Sequence, residues 1–154
     1  RVRLSDDKLF FYPYLYLTGH GNISLTEEEI VGLRRHLQAG GFLHADDNYG
    51  IDKSFRREMA RVFPSKRFVE LPADHSLFSC HFRLPQGLPK IHEHDGSRPQ
   101  ALGLFEGERL IILYTYESDL GDGWEDAHVH GNSEEKRRAA LEMGTNIVVW
   151  SLIQ

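Results

Sequence analysis

Carboxylates and histidines recur in this sequence just where strand-like runs end. Asp46 and Asp47 close the apolar run Phe42-Leu43-His44-Ala45. His20 sits between Gly19 and Gly21, after an aromatic run over 9–17. Asp74 and His75 follow Arg67-Phe68-Val69-Glu70-Leu71, and Asp119, Asp122, Trp124 and Glu125 follow the apolar run 109–115. Two carboxyl groups in different environments can divide acid and base work. That makes Asp46, Asp47, Asp119 and Glu125 the candidate catalytic set. His20, His44, Asn48, Tyr49, His75 and Trp124 form the candidate ligand-binding set. Parallel strands send their exits to one edge, where open α/β sheets bind ligands. The pattern predicts a strand-end crevice holding His20, Asp47 and Asp119 together.

Each of these residues also has a structural reading. Asp46 and Asp47 could make a turn or cap the next helix. On an extended backbone their side chains point to opposite faces, so only one can enter the crevice. His20 could bond to its own turn, Asp74-His75 could cap the turn that follows, and Trp124 could be a core or interface residue instead of a stacking platform. His92 and His94, like His128 and His130, have the i, i+2 spacing that aims two imidazoles to one side of an extended segment. A divalent metal such as zinc accepts such ligands, so His92 and His94 are the candidate metal pair. The fuller His-Glu-x-x-His and Cys-x-x-Cys signatures are absent. No Gly-x-Ser-x-Gly elbow is present, and Cys80, in an alternating apolar stretch, reads as a packed thiol.

The elements that must position these groups are signed locally. Thr26 with Glu29 forms a capping box, with Leu25 and Ile30 as its staple. Ile30, Leu33 and Leu37 make one apolar face, and Gly40 stops the helix. A buried strand follows at 42–45. A second helix is expected from about Asp52 to Val62, with Phe55, Met59 and Val62 inward and Pro64 as its stop. The run before His20 is strand-like, but Pro13 places the start of the central strand after it. Residues 76–100 hold Pro85, Pro89 and Pro99 and read as a long functional loop with short strand pieces. Runs 101–105 and 109–115 around Glu106-Gly107-Glu108 predict a hairpin. A last helix is expected from Asn132 or Ser133, with Gly144 as a stop, and Asn146-Ile147-Val148-Val149-Trp150 has strand propensity. Strands alternating with helices give an α/β, doubly wound, mostly parallel sheet with an added hairpin.

The 154 residues, 40% of them apolar, fit one domain over 1–154 with a proper core. The formal net charge of −5 lacks the basic footprint of a nucleic-acid binder. No apolar stretch approaches a membrane span. The single cysteine excludes an intrachain disulfide.

Three strings carry a resemblance: Phe42-Leu43-His44-Ala45-Asp46-Asp47-Asn48-Tyr49-Gly50, Ile91-His92-Glu93-His94-Asp95-Gly96 and Asp119-Leu120-Gly121-Asp122-Gly123-Trp124-Glu125-Asp126. With Thr18-Gly19-His20-Gly21 and Met143-Gly144-Thr145-Asn146-Ile147, they resemble a bacterial family known as domain of unknown function 4159, over essentially the whole chain. That family is similar in turn to the class I glutamine amidotransferase-like superfamily, near the trehalose-utilisation type. The resemblance implies a flavodoxin-like sheet and a helical tail from Asn146, against its local propensity. It implies a nucleophilic Cys after the central strand, but Asp46 and Asp47 stand there, so thioester chemistry is not expected. Asp74-His75-Ser76 lacks the Pro the family usually has in third place. The family's first strand and helix are not found here, which would leave one sheet edge bare; self-association, or contact with residues outside the chain, is the expectation. Export or a periplasmic location is implied as well.

Two functions fit. One is a pocket protein that binds a sugar-like or polyol ligand without turnover. The other is a hydrolase or lyase using the carboxylate pair in the same crevice, with His20 and His44 as positioners or proton carriers.

Overall fold

The structure is a computed structural model that describes residues 2–47, 49–92 and 96–154. Five strands form one sheet: β1 (Tyr14–Gly19), β2 (Phe42–Asp47), β3 (Val69–Glu70), β4 (Gln100–Glu106) and β5 (Arg109–Tyr116). Their order is β1-β2-β5-β4-β3. The pairings β1·β2 and β2·β5 are parallel, while β4 runs antiparallel to both β5 and β3. β4 is therefore the one strand reversed among those described. This is the mostly parallel α/β sheet expected, and β4–β5 is the predicted hairpin.

Helices α1 (Glu27–Gln38) and α2 (Asp52–Val62) cover one face. The Thr26 hydroxyl accepts the Glu29 N–H at 3.2 Å while Glu29 accepts the Thr26 N–H at 2.9 Å, so the capping box is complete. Ile30, Leu33, Leu37, Phe55, Met59 and Val62 are buried here with Leu43 and Ala45 of β2. Two short helices, α3 (Leu120–Trp124) and α4 (Ala127–His130), then lead into α5 (Glu134–Ile153). Ala140, Met143 and Ile147 of α5 pack with Phe42, Leu113 and Leu120 on the opposite face.

Every described residue of β2 is buried, as an apolar run bounded by glycine should be. Alternation sends Leu43, Ala45 and Asp47 toward α1 and α2, and Phe42, His44 and Asp46 toward α5.

Three local expectations are corrected. Residues Asp7–Phe11 form a 3-10 turn instead of extending β1, which begins after Pro13. Over the described part of 76–100 the regular structure is a 3-10 turn at Ser76–Phe78, not strand pieces, and β4 opens only at Gln100. Gly144 does not stop α5. A Cβ there would lie 3.0 Å from the Trp124 indole nitrogen, so the glycine admits that ring against the helix. The β-branched tail 146–150 is helical, as the resemblance implied and against its local propensity, because its apolar face packs on the sheet and tertiary burial outweighs a propensity of a few tenths of a kcal/mol per residue.

Candidate functional site

Asp46 has no exposed surface. Its Oδ1 accepts the Thr115 hydroxyl at 2.5 Å and the Leu120 N–H at 3.2 Å. Its Oδ2 accepts the Gly121 N–H at 2.8 Å and the Tyr16 hydroxyl at 3.2 Å. The first N–H groups of a helix lack intrahelical acceptors, and Asp46 supplies them for α3. Thr115 spends its one proton on Asp46, so its oxygen accepts from His44 Nε2 at 3.0 Å. His44 Nδ1 then accepts the Tyr14 hydroxyl at 2.9 Å. The result is a directed chain, Tyr14 to His44 to Thr115 to Asp46. Burial pushes the His44 pKa down to about 4, with the Asp46 charge opposing. Burial, reinforced by Asp46, also raises the Tyr14 and Tyr16 hydroxyls.

Asp47 points to the other face, as alternation requires. It is 4% exposed, and its Oδ1 accepts the Ile51 N–H at 3.5 Å. Burial pushes its carboxyl up, and the Asp52 and Glu117 charges act in the same direction.

Beyond β5 the chain bends sharply. Glu117 and Asp119 both have left-handed backbones, with φ of 56° and 57°. Between them the Ser118 hydroxyl donates to the Pro89 carbonyl at 2.6 Å, and its carbonyl accepts the N–H groups of Ile91 and His92. This bend ties segment 89–92 to the start of α3. It brings His92 to Asp119 and Asp122, and one ligand atom from each of the three lies within 4.8 Å of the others. His92 Nδ1 is 3.4 Å from Asp122 Oδ2. His130 Nδ1 is 3.4 Å from that same oxygen, and His130 Nε2 is 3.0 Å from Glu125 Oε2.

The candidate residues thus separate. Asp119, Asp122, Glu125 and His92 gather in one cluster at the carboxyl edge of the parallel strands. Asp46 lies beneath it as the cap of α3. His20 is exposed one residue beyond Gly19, which pairs with Asp47. Tyr49 is exposed with a positive φ. His75 caps the 3-10 turn by accepting the Leu77 N–H at 3.1 Å, and its ring lies 5.3 Å from that of Trp150. Trp124 donates to the Ala140 carbonyl at 2.9 Å. Its ring lies 5.2 Å from Tyr16 beside an apolar groove of about 530 Å³. Asn48 and His94 lie outside the described residues.

Thr115, Ser118 and the Tyr14 and Tyr16 hydroxyls were not singled out by sequence, since each gains its role from a partner distant along the chain. The His128/His130 pair sits on helix α4, not a strand. At about 100° per residue, i and i+2 diverge around a helix, and His130 is the one that meets Asp122.

No curated protein matches the chain. The model for Domain of unknown function (DUF4159) matches residues 1–152, nearly the full length, and the chain belongs to that family.

Proposed function

We propose that this chain is a ligand-binding domain of amidotransferase-like fold whose crevice, at the carboxyl edge of the parallel strands, takes a sugar-like or polyol ligand without turnover. The observation that carries the reading is the state of Asp46. It stands where the superfamily would keep its nucleophile, but four donors saturate it and it has no exposed surface. A carboxylate held this way is a structural acceptor. The groups around the crevice, Asp119, Asp122, Glu125, His92 and His130, are acceptors and donors suited to ligand hydroxyls. The superfamily placement, a bacterial source and an exported location rest on the motif resemblance and belong to the same reading. Self-association along β1 belongs to it too: among the described residues β1 pairs only with β2.

The second reading, a hydrolase or lyase, would rest on Asp47, which lies on the opposite face of β2 from the crevice cluster. Its raised carboxyl, near Glu117, has the character of a general acid. One experiment separates the two. Hexoses and polyols are titrated into the isotopically labelled protein, and amide shifts are followed together with the ligand's own spectrum. Binding predicts saturable shifts around His92, Asp122 and His130 with the ligand unchanged. Conversion of the ligand would transfer the case to the enzyme reading, and no shift with any compound would end the sugar-like assignment.

A further inference from the structure

We propose that His92, Asp119 and Asp122 form a binding site for a transition-metal dication, with His130 and Glu125 holding the Asp122 ligand in place. Asp119 and Asp122 are 1% and 8% exposed. A dication offsets the mutual repulsion of neighbouring buried carboxylates. Among the described residues the ion-pair partners of Asp122 are two imidazoles, not Lys or Arg. Imidazoles facing carboxylates are the donor set of a metal centre.

The spacing fits. Ligand atoms about 2.1 Å from a common ion lie about 3.0–3.4 Å apart at neighbouring positions. His92 Nδ1 and Asp122 Oδ2 are 3.4 Å apart, at that spacing, and a ligand atom of Asp119 lies within 4.8 Å of one from each of the other two, so that a side-chain shift of a few tenths of an ångström closes the triad on one ion. One nitrogen and two carboxylate oxygens suit zinc, manganese or iron better than calcium, whose sites are built from oxygen. Three protein ligands leave coordination positions for a small molecule.

His130 supplies what such sites have around them. One ring nitrogen faces the ligating oxygen of Asp122, and the other is fixed by Glu125. Partners of this kind orient the ligands directly on a metal, and their loss lowers affinity about 10–100-fold. Asn132 adds to the framework by donating to the Asp122 carbonyl at 3.2 Å.

The test uses Co²⁺ as a visible-absorbing probe, titrated into the metal-stripped, untagged chain and displaced with Zn²⁺. No polyol is present, so the outcome is independent of the ligand reading. We expect one ion per chain. His92→Ala and Asp122→Asn should each weaken binding more than about tenfold, and His130→Ala about tenfold or more. His128→Ala, on the exposed side of the same short helix, should bind like the parent. The His92 side chain is 41% exposed, so its truncation leaves the fold intact and decides the matter even if Asp122→Asn does not fold. Parent-like binding by His92→Ala, or no binding by the parent up to about millimolar Co²⁺ and Zn²⁺, overturns the proposal.

Discussion

The Gly121 N–H donates to Asp46 Oδ2 at 2.8 Å, joining residues 75 positions apart. The end of β2 thereby anchors the start of α3. Asp119 and Asp122 flank that anchor, so the crevice carboxylates are positioned by a carboxylate that is not itself in the crevice. Gly121 suits the contact, because a Cβ there would lie 2.9 Å from the Tyr16 hydroxyl.

Asp46→Asn should therefore be strongly destabilising. The amide keeps one acceptor but turns an NH₂ toward donors. Each buried donor left stranded costs about 1–3 kcal/mol. Chemical denaturation should show a loss in that range or above, whereas a change under half a kcal/mol, roughly the level of surface substitutions, would refute the anchoring role.

Asp47 is expected to behave in the opposite way. Its folded pKa is raised, so its ionised form opposes folding. That penalty is full above the folded pKa and vanishes below the ordinary unfolded value near 3.9. Asp47→Asn keeps an acceptor for Ile51 and removes only the charge. It should raise stability at pH 7, with the gain shrinking toward pH 4. Asp47→Ala should be neutral or stabilising at pH 7, since its bond to Ile51 is long and burial outweighs the hydrogen bonds from Ile51 and Tyr114 that favour its charge. A loss of about 1 kcal/mol, the usual worth of a cap, would make Asp47 a structural cap instead.

His44 gives stability a second pH dependence. Its folded pKa is pushed down to about 4, while an unfolded histidine titrates near 6.5. Between those values the unfolded chain binds the proton and the folded chain does not. Stability should fall as pH drops through this window, by at most about 1.4 kcal/mol per pH unit, and this contribution should level off below it. Burial lowers His36 in the same direction. Imidazole NMR should find His44 neutral at pH 5; a midpoint near 6.5 would contradict the buried chain from Tyr14.

Gly123 marks the close approach of α3 to α5. A Cβ there would sit 2.3 Å from the Ala140 Cβ. Gly123→Ala should cost about 1–3 kcal/mol through overpacking, despite a helix-propensity gain of about 1 kcal/mol. Thermal melting of the variant checks this, and an unchanged midpoint would mean the helices can separate freely.

Among the described residues β1 pairs only with β2, and this edge makes a last prediction. Tyr14–Gly19 carries no charged side chain, the usual protection of an edge strand. The chain should self-associate with rising concentration, and Thr18→Lys should reduce that association. A stable monomer by light scattering over a wide concentration range would count against it.

Much of the fold was legible locally. The capping box at Thr26, the limits of α2 and the hairpin at Gly107 follow from neighbours within a few residues. The opposite orientations of Asp46 and Asp47 follow from the two-residue period of a strand. The helical tail at 146–150 was legible through the family resemblance and not through local propensity, because burial against the sheet decides it and propensity is the smaller energy. The roles within the site were not legible either. Asp46 became a cap because Leu120 and Gly121, over seventy residues away, lack acceptors. His92 met Asp122 because the left-handed turns at Glu117 and Asp119, with Ser118 bonded to segment 89–92, folded one loop onto another. By itself the sequence determined which residues could do chemistry and that strand ends would carry them. Only the tertiary structure decided which carboxylate is buried as an anchor and which face an imidazole, since hydrogen-bond partners distant along the chain settle that choice.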